Sequence, residues 1–432
     1  MSLNRIKIES LARVEGHGGI TVNFKDGKLS KVTVDIYEGP RLLETIAVGR
    51  IPSEVVSLTC RICAICTISH RYASLRAMEK ALEIEIPPKV HLMRELMHCG
   101  EMIESNALHV FLLALPDYLG YPSAVHMVPD HAEDVQAGLR VKKFGVKLME
   151  LTSARPIHGE NPVIGGFGKY PSKAELLRFK YEAESLIPDA ERGVEILRNL
   201  RQPTYMEEGM TFMCIKPEHD RYGWVGDRIL VSTGEEFSAW DYRKLTNERV
   251  VPHSMAKRSR FQDKPYFVGA LARFNLLGER LDGAAGEHFR RCYNLSWIRN
   301  PMYNNVAQAI EIVWALEEVP RIVDKLVAYE EDPEIVAPSR DRGAGSAAVE
   351  APRGTLYHHY EIADGKVIHA DIVTPTAQFL DMMEEHIRVA AENLVKEGDT
   401  EGVELKLEMI ARAYDPCISC ATHLVKVRGL DK

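Results

Sequence analysis

An α+β fold is predicted, mostly helical, with a central bundle of long helices and small peripheral β-hairpins. Three observations predict it. Long segments at about 88–115, 130–154, 172–199, 302–329, 376–396 and 400–413 carry apolar faces at helical spacing. Two shorter stretches alternate apolar and polar residues on either side of a turn signal. The composition, 45% hydrophobic and 27% charged, is that of an ordinary globular protein. No internal repeat longer than the resemblance between the hairpins and no low-complexity tract interrupts the chain, which reads as one domain over 1–432.

In order along the chain, Ile20–Phe24 and Val32–Ile36 flank Lys25-Asp26-Gly27-Lys28 and predict the first hairpin. Ahead of it, Arg13-Val14-Glu15-Gly16-His17 suits a loop that approaches something closely. Residues 40–60 read as a turn and a short helix. From Cys63 to about Leu82 the residues Leu75, Met78, Ala81 and Leu82 make one apolar face. That would put Cys63 and Cys66 in a first helical turn, where free N–H groups favour thiolate. Cys63, Cys66 and His70 then share a face. After Pro87-Pro88 comes a helix long enough to span ~40 Å, ending near Pro116-Asp117-Tyr118. Residues 200–300 are polar, mixed and uninformative. Ser339–Ala348, rich in glycine, alanine and serine, reads as a mobile loop. Tyr357–Ile362 and Val367–Val373 flank Asp364-Gly365-Lys366 as a second hairpin, and Thr374-Pro375-Thr376 opens a helix with threonine as its cap.

A net charge of −8 without a basic stripe argues against nucleic acid as a partner. No apolar run reaches the ~18 residues of a membrane span, and the first residues lack the apolar stretch of a signal peptide. Eight cysteines are too few for a disulfide framework, which points to a reducing, cytoplasmic compartment.

Four of those cysteines form two C-x-x-C pairs, Cys63/Cys66 and Cys417/Cys420, near opposite ends of the chain. Three chemistries compete for them. Structural zinc takes four thiolates, but zinc ribbons separate their pairs by only ~15–20 residues. A redox dithiol needs one pair and leaves the other without a role. A catalytic transition metal held by soft thiolates accounts for both, and for Glu15, Arg353 and Asp415 in glycine- or proline-marked loops.

Arg61-Ile62-Cys63-Ala64-Ile65-Cys66 with His70, and Asp415-Pro416-Cys417-Ile418-Ser419-Cys420-Ala421-Thr422-His423, resemble the two signatures of the nickel–iron hydrogenase large subunit. Arg13-Val14-Glu15-Gly16-His17 and Ala351-Pro352-Arg353-Gly354 resemble that family's R-x-E-G-H and A-P-R-G motifs. Met102–His109, Leu115–Tyr118, Gly165–Gly168 and Ala413–Pro416 most resemble the cytosolic, pyridine-nucleotide-linked type, the sulfhydrogenases. A subunit of respiratory complex I that shares the fold lacks the four cysteines. A zinc-stapled scaffold is the third reading, and metal analysis separates the three.

The resemblance implies a nickel–iron centre whose iron carries cyanide and carbon monoxide. Cys63 and Cys417 would be terminal ligands of nickel, Cys66 and Cys420 bridging ones. Splitting dihydrogen into unlike halves needs a base; Cys417 would take the proton and Glu15 would receive it next. Arg353 would sit over the open face with its fork of donors, oriented by Asp117 and Asp415. Thr376 would donate to a cyanide, and His70 would support Cys66. Glu44, the Ile372 carbonyl and His423 would hold a magnesium or iron ion near the C-terminus. Arg41-Leu42-Leu43-Glu44 departs from the commoner R-G-x-E, and Ala64 stands where many members have glycine. Residues 424–432 extend past His423 and are expected to be cut off on maturation. With no cysteines to spare for iron–sulfur ligation, electrons would leave through an iron–sulfur small subunit and then through flavin-containing diaphorase subunits to NAD(P).

Overall fold

Three antiparallel strands form a small sheet at the N-terminal end: β1 (Arg5–Ile8), β2 (Gly18–Lys25) and β3 (Lys28–Ile36), in the order β1-β2-β3. The computed structural model describes residues 5–25, 28–39, 41–399 and 401–422. His423, the expected extension 424–432 and the turn residues Asp26 and Gly27 lie outside the described residues. Ile20, Val22, Val34 and Ile36 are buried, as their alternation predicts. Two short helices follow, α1 (Leu43–Ala47) and α2 (Pro52–Thr59).

The helix after the first cysteine pair begins later than its apolar pattern suggests. Cys60–Ile62 is a single 3₁₀ turn, Cys63 is extended at φ −141° and ψ 145°, Cys66 is the N-cap, and α3 runs Thr67–Ala81. The N–H groups of Ile65 and Cys66 donate to the Cys63 sulfur at 3.3 and 3.2 Å. The chain therefore wraps around that sulfur before it becomes helical, and Cys63 lies outside the first turn.

Four long helices make the bundle: α4 (Pro88–Ala107), α5 (Ala124–Ser153), α6 (Lys173–Asn199) and α7 (Tyr303–Val327). Helix α7 packs along α6 and α4, and α5 packs along α4 and α6. The long segment predicted after Pro88 is continuous but not uniform. From Leu108 to Ala114 it widens into π-helical turns, then tightens over Leu115–Leu119. Arg13 Nη1 donates to the Leu113 carbonyl at 2.7 Å, so the N-terminal loop is anchored on this wider stretch. Helix α5 holds Pro129 and breaks at His131 (φ −129°), so the regular part starts where the sequence places it.

Helix α6 opens on a capping box. Glu175 N donates to Ser172 Oγ at 3.3 Å, and Ser172 N donates to the Glu175 carboxylate at 2.9 Å. Ser172→Ala should cost about 1 kcal/mol, read as a lower urea midpoint at unchanged slope.

The 200–300 stretch supplies a sheet of β4 (Met213–Lys216), β6 (Arg228–Val231) and β7 (Glu236–Ser238), and the short strand β5 (Val225–Gly226). Strand β5 is one edge of the principal sheet, ordered β10-β9-β8-β5, with β8 (Gly343–Ala351), β9 (Gly354–Ala363) and β10 (Lys366–Val373). Here the mobile-loop reading of Ser339–Ala348 is overturned: 343–348 belong to β8, and Ala347 and Ala348 are fully buried. Small residues serve close packing here, not flexibility. A Cβ on Gly345 would lie 2.1 Å from the Ala77 carbonyl of α3, so only glycine lets β8 press against that helix. Helices α8 (Pro375–Lys396), α9 (Val403–Ala413) and α10 (Ile418–Ala421) complete the chain. Thr374 is the N-cap of α8, although its side chain makes no capping hydrogen bond.

Candidate metal centre

The two cysteine pairs meet. Cys63 Sγ lies 3.3 Å from Cys417 Sγ, Cys66 Sγ lies 3.3 Å from Cys420 Sγ, and Cys417 and Cys420 are 2.8 Å apart. All four sulfurs fall within 4.8 Å of one another and all are buried. None is in a disulfide, and neither are the other four cysteines. Burial pushes the thiols of Cys66 and Cys417 well up, and that of Cys420 to about 11. Burial acts the same way on Cys63, but hydrogen bonds from the other three hold it well below the usual range. Four sulfurs packed out of water can all be anionic only around a cation.

Two segments hold the loops in place. Glu15 pairs with Cys417 as in a parallel strand: its carbonyl accepts from Ile418 N at 3.0 Å. Its half-buried carboxylate accepts from Ser419 N at 3.0 Å and from the Ser419 hydroxyl. Arg41 ties both cysteine loops together, donating through Nη2 to the carbonyls of Ile62, at 2.6 Å, and Ser419.

Arg353 occupies the tip of a two-residue hairpin. Ala351 and Gly354 are register partners, and Gly354 takes a φ of +132° that an L side chain rarely adopts. The arginine is buried. Its Nε donates to the Asp415 carbonyl at 2.8 Å, its Nη2 to Asp415 Oδ1 at 2.9 Å, and its Nη1 to Ser105 Oγ at 3.2 Å. Asp415 itself is left-handed at φ +49°, which lets both its carbonyl and its carboxylate face one guanidinium. Burial would raise its pKa, but Arg353 and His109 hold the carboxyl below the ordinary range. Thr376 Oγ1 accepts from Cys417 N at 2.9 Å, which leaves its hydroxyl hydrogen available to a ligand.

Two expected partnerships fall differently. The Asp117 carboxylate does not reach Arg353; it takes Arg412, with Nε at 2.6 Å and Nη2 at 3.1 Å, and Arg13. Among the described residues, Asp415 and Ser105 are the hydrogen-bond partners of the Arg353 side chain. His70 donates its main-chain N–H to the Cys66 carbonyl at 3.2 Å, but its ring turns to Cys420 Sγ, 3.8 Å away, and to His358 at 3.1 Å. Its support therefore goes to the sulfur of the other pair.

Glu44 Oε1 accepts from Ile372 N at 2.8 Å and from Lys257 Nζ at 3.2 Å; Lys257 also reaches the Ile372 carbonyl at 3.4 Å and Glu248 at 2.8 Å. The expected ligands Glu44 and Ile372 are thus side by side. His423 lies outside the described residues. Burial raises both carboxyls, that of Glu248 to about 7, against the pull of the Lys257 ammonium, which acts to lower both. A second three-ligand group, His359, Glu361 and His369, lies on one face of β9 and β10. Arg243 Nη2 already donates to His369 Nε2 at 3.0 Å, so that face is occupied by a cationic side chain.

Sequence reasoning missed the brace behind the Arg353 turn. Arg273 is fully buried, paired with Glu311 at 2.7 Å and Glu350 at 2.8 Å, and donates to the carbonyls of Ala351 and Pro352 at 3.2 Å each. His109, 3.2 Å from Asp415, and Gln308, 3.0 Å from it, were missed too.

With this geometry established, relatives decide the family. A model described as nickel-dependent hydrogenase matches residues 41–152 and 217–423. The chain belongs to the nickel-dependent hydrogenase family. The alpha subunit of sulfhydrogenase 1 from Pyrococcus furiosus is 40% identical over 423 residues, 98% of each chain, and that of sulfhydrogenase 2 from the same organism is 40% identical over 422. A crystal structure of an NAD+-reducing [NiFe]-hydrogenase in the H2-reduced state superposes with a TM-score of 0.87 at 27% identity, covering 98% of this chain and 100% of that one. The chain is a nickel–iron hydrogenase large subunit, an oxidoreductase acting on H2. The donor set fits a nickel–iron centre: four soft sulfurs, closed to water, with an arginine held beside them. Among the described residues no helix is long and apolar enough to cross a membrane.

Proposed function

We propose that this hydrogenase subunit interconverts H2 with protons and electrons, and that the electrons pass through an iron–sulfur small subunit and flavin-containing subunits to NAD(P) in the cytoplasm. The convergence of Cys63, Cys66, Cys417 and Cys420 beside the buried Arg353 carries the reading. A nickel–iron pair held there, its iron carrying cyanide and carbon monoxide, would supply the Lewis-acid and redox chemistry. The protein supplies the rest. Cys63, Cys66, Cys417 and Cys420 would hold that pair through their sulfurs. Cys417 accepts the proton, and Glu15, joined to the next residue through Ile418 N, receives it. Arg353 directs its fork over the reacting face, and Thr376 donates to a diatomic ligand.

Glu44 and the Ile372 carbonyl, together with His423, are the proposed ligands of a magnesium or iron ion. An excess of acid over base around Lys257 suits a divalent cation there. Residues 424–432 are proposed to be removed on maturation. Tyr37, Ile46, Val48 and Ile51 are about half exposed, at 44–50%, in segments that flank Arg41. That apolar surface fits docking of the small subunit. An NAD+-reducing relative among the solved structures supports the proposed acceptor.

An infrared spectrum of the purified protein, with nickel and iron analysis, tests the reading. Bands of metal-bound cyanide and carbon monoxide, and both metals, are expected; zinc without those bands would overturn it.

A further inference from the structure

Glu101 lies on α4, fully buried, with no part in the chemistry above. Its carboxylate accepts from Ile68 N at 2.6 Å, from Ser69 N at 3.0 Å and from the Ser69 hydroxyl. Ile68 and Ser69 are the second and third residues of α3, a helix whose own N-cap, Cys66, makes no side-chain capping bond. Glu101 is therefore the cap of α3, supplied by a neighbouring helix. The same helix start serves the metal centre, since Ile65 N and Cys66 N donate to Cys63 Sγ. Two acids, a carboxyl and a sulfur ligand, draw on the donors of one helix end.

The groups around the carboxyl are few. From α3 and its approach come Ser69 and Cys63; from α4 comes His98, whose Nε2 is 3.5 Å from Ser69 Oγ. No basic side chain stands among its main electrostatic neighbours. Burial holds His98 neutral, so it adds no charge. Burial favours the protonated carboxyl, whereas the α3 amides and the Ser69 hydroxyl favour the anion. Burial prevails and raises the carboxyl to about 8, with the charge of Cys63 adding to the rise. His98 also lines the floor of a cavity of about 270 Å³, with Tyr72 and Trp224, whose rim carries the exposed His91, Glu218 and His219. The His98 ring and, behind it, the Ser69 hydroxyl connect that cavity to Glu101.

We propose that Glu101 is a positioning residue of the metal centre that balances its charge: it takes up a proton through Ser69 when negative charge accumulates on the cysteine sulfurs, and releases it when that charge leaves. The start of α3 then keeps a near-constant net charge beside Cys63 and Cys66. This rests on the hydrogenase reading, and the test separates the two.

The infrared bands of the purified holoenzyme, held under H2, are followed between about pH 6 and pH 10, either side of neutral-to-basic carboxyl titration. Wild-type bands should shift with an inflection, and Glu101→Gln should lose it. Ser69→Ala removes a donor to the anion, so the carboxyl holds its proton more tightly and the inflection should move to higher pH. A Glu101→Gln curve that matches the wild type, a wild type without any inflection, or a Ser69→Ala inflection that stays put or moves lower would each overturn the proposal. If Glu101→Gln fails to retain metal, the direction of the Ser69→Ala shift decides alone. A wild type with no such bands counts against the hydrogenase reading instead.

Discussion

Cys417→Ser is expected to abolish hydrogen uptake. The sulfur sits 3.3 Å from Cys63 and 2.8 Å from Cys420, buried, with its main chain fixed by Thr376 and its neighbour Ile418 tied to Glu15. Serine fits the space, so the fold should survive. Its hydroxyl is harder than sulfur and keeps its proton, so it is a poor ligand for a soft metal and a poor proton acceptor beside one. Loss of a supporting partner alone costs a metal site ~10–100-fold in affinity or activity; loss of a ligand should exceed the upper end of that range. Nickel content and H2-dependent dye reduction, measured together, check the expectation. Cys292→Ala is the control. That cysteine is buried at the end of the helix Gly283–Cys292 and is not one of the four clustered sulfurs, so the variant should keep its nickel and its turnover. Wild-type turnover in Cys417→Ser would remove the metal from the role assigned to it.

Much of this arrangement is legible in the sequence, because long helices advertise themselves. The ends of α6, α7 and α8 fall within two or three residues of where apolar spacing puts them. The four cysteines are legible for a different reason: few residue types bind soft metals, and two C-x-x-C pairs leave few explanations. What spacing cannot carry is direction. Helical periodicity puts His70 on the face of Cys66, yet the ring follows the packing of β9 toward Cys420. Asp117 and Asp415 are equally plausible partners for Arg353 on paper; Arg412, three residues before Asp415, takes Asp117 first. Composition misleads at Ser339–Ala348, since glycine and alanine mark either a loose chain or a tight contact, and only Ala77 distinguishes the two. Arg273 was invisible because a lone arginine in a mixed stretch resembles any surface residue until two buried acids are found around it.

Arg353→Lys separates charge from shape. Both side chains carry +1, but only the guanidinium presents donors in a fixed fork. Here two arms of that fork are committed to Asp415, through its carbonyl and its carboxylate, and a third to Ser105, while Arg273 clamps the turn from behind. An ammonium can satisfy the Asp415 carboxylate and little else, and it has no planar edge left to aim at the sulfurs. Metal content should therefore stay at the wild-type level while turnover falls ~10²–10³-fold, the usual cost of removing one preorganised donor from a reacting site. Arg353→Met should behave differently. Among the described residues it leaves the buried Asp415 carboxylate His109 and Gln308 as partners, and stripping one partner from a buried ion pair costs ~3–5 kcal/mol. Asp415 would then hold its proton to higher pH than in the wild type, where the guanidinium keeps its pKa low. Urea midpoints for the two variants, compared with H2/D2O exchange rates on metal-loaded protein, give the contrast. A lysine variant with wild-type exchange would show that a nearby positive charge suffices, and that the hairpin tip, the left-handed Asp415 and the Arg273 brace serve folding alone.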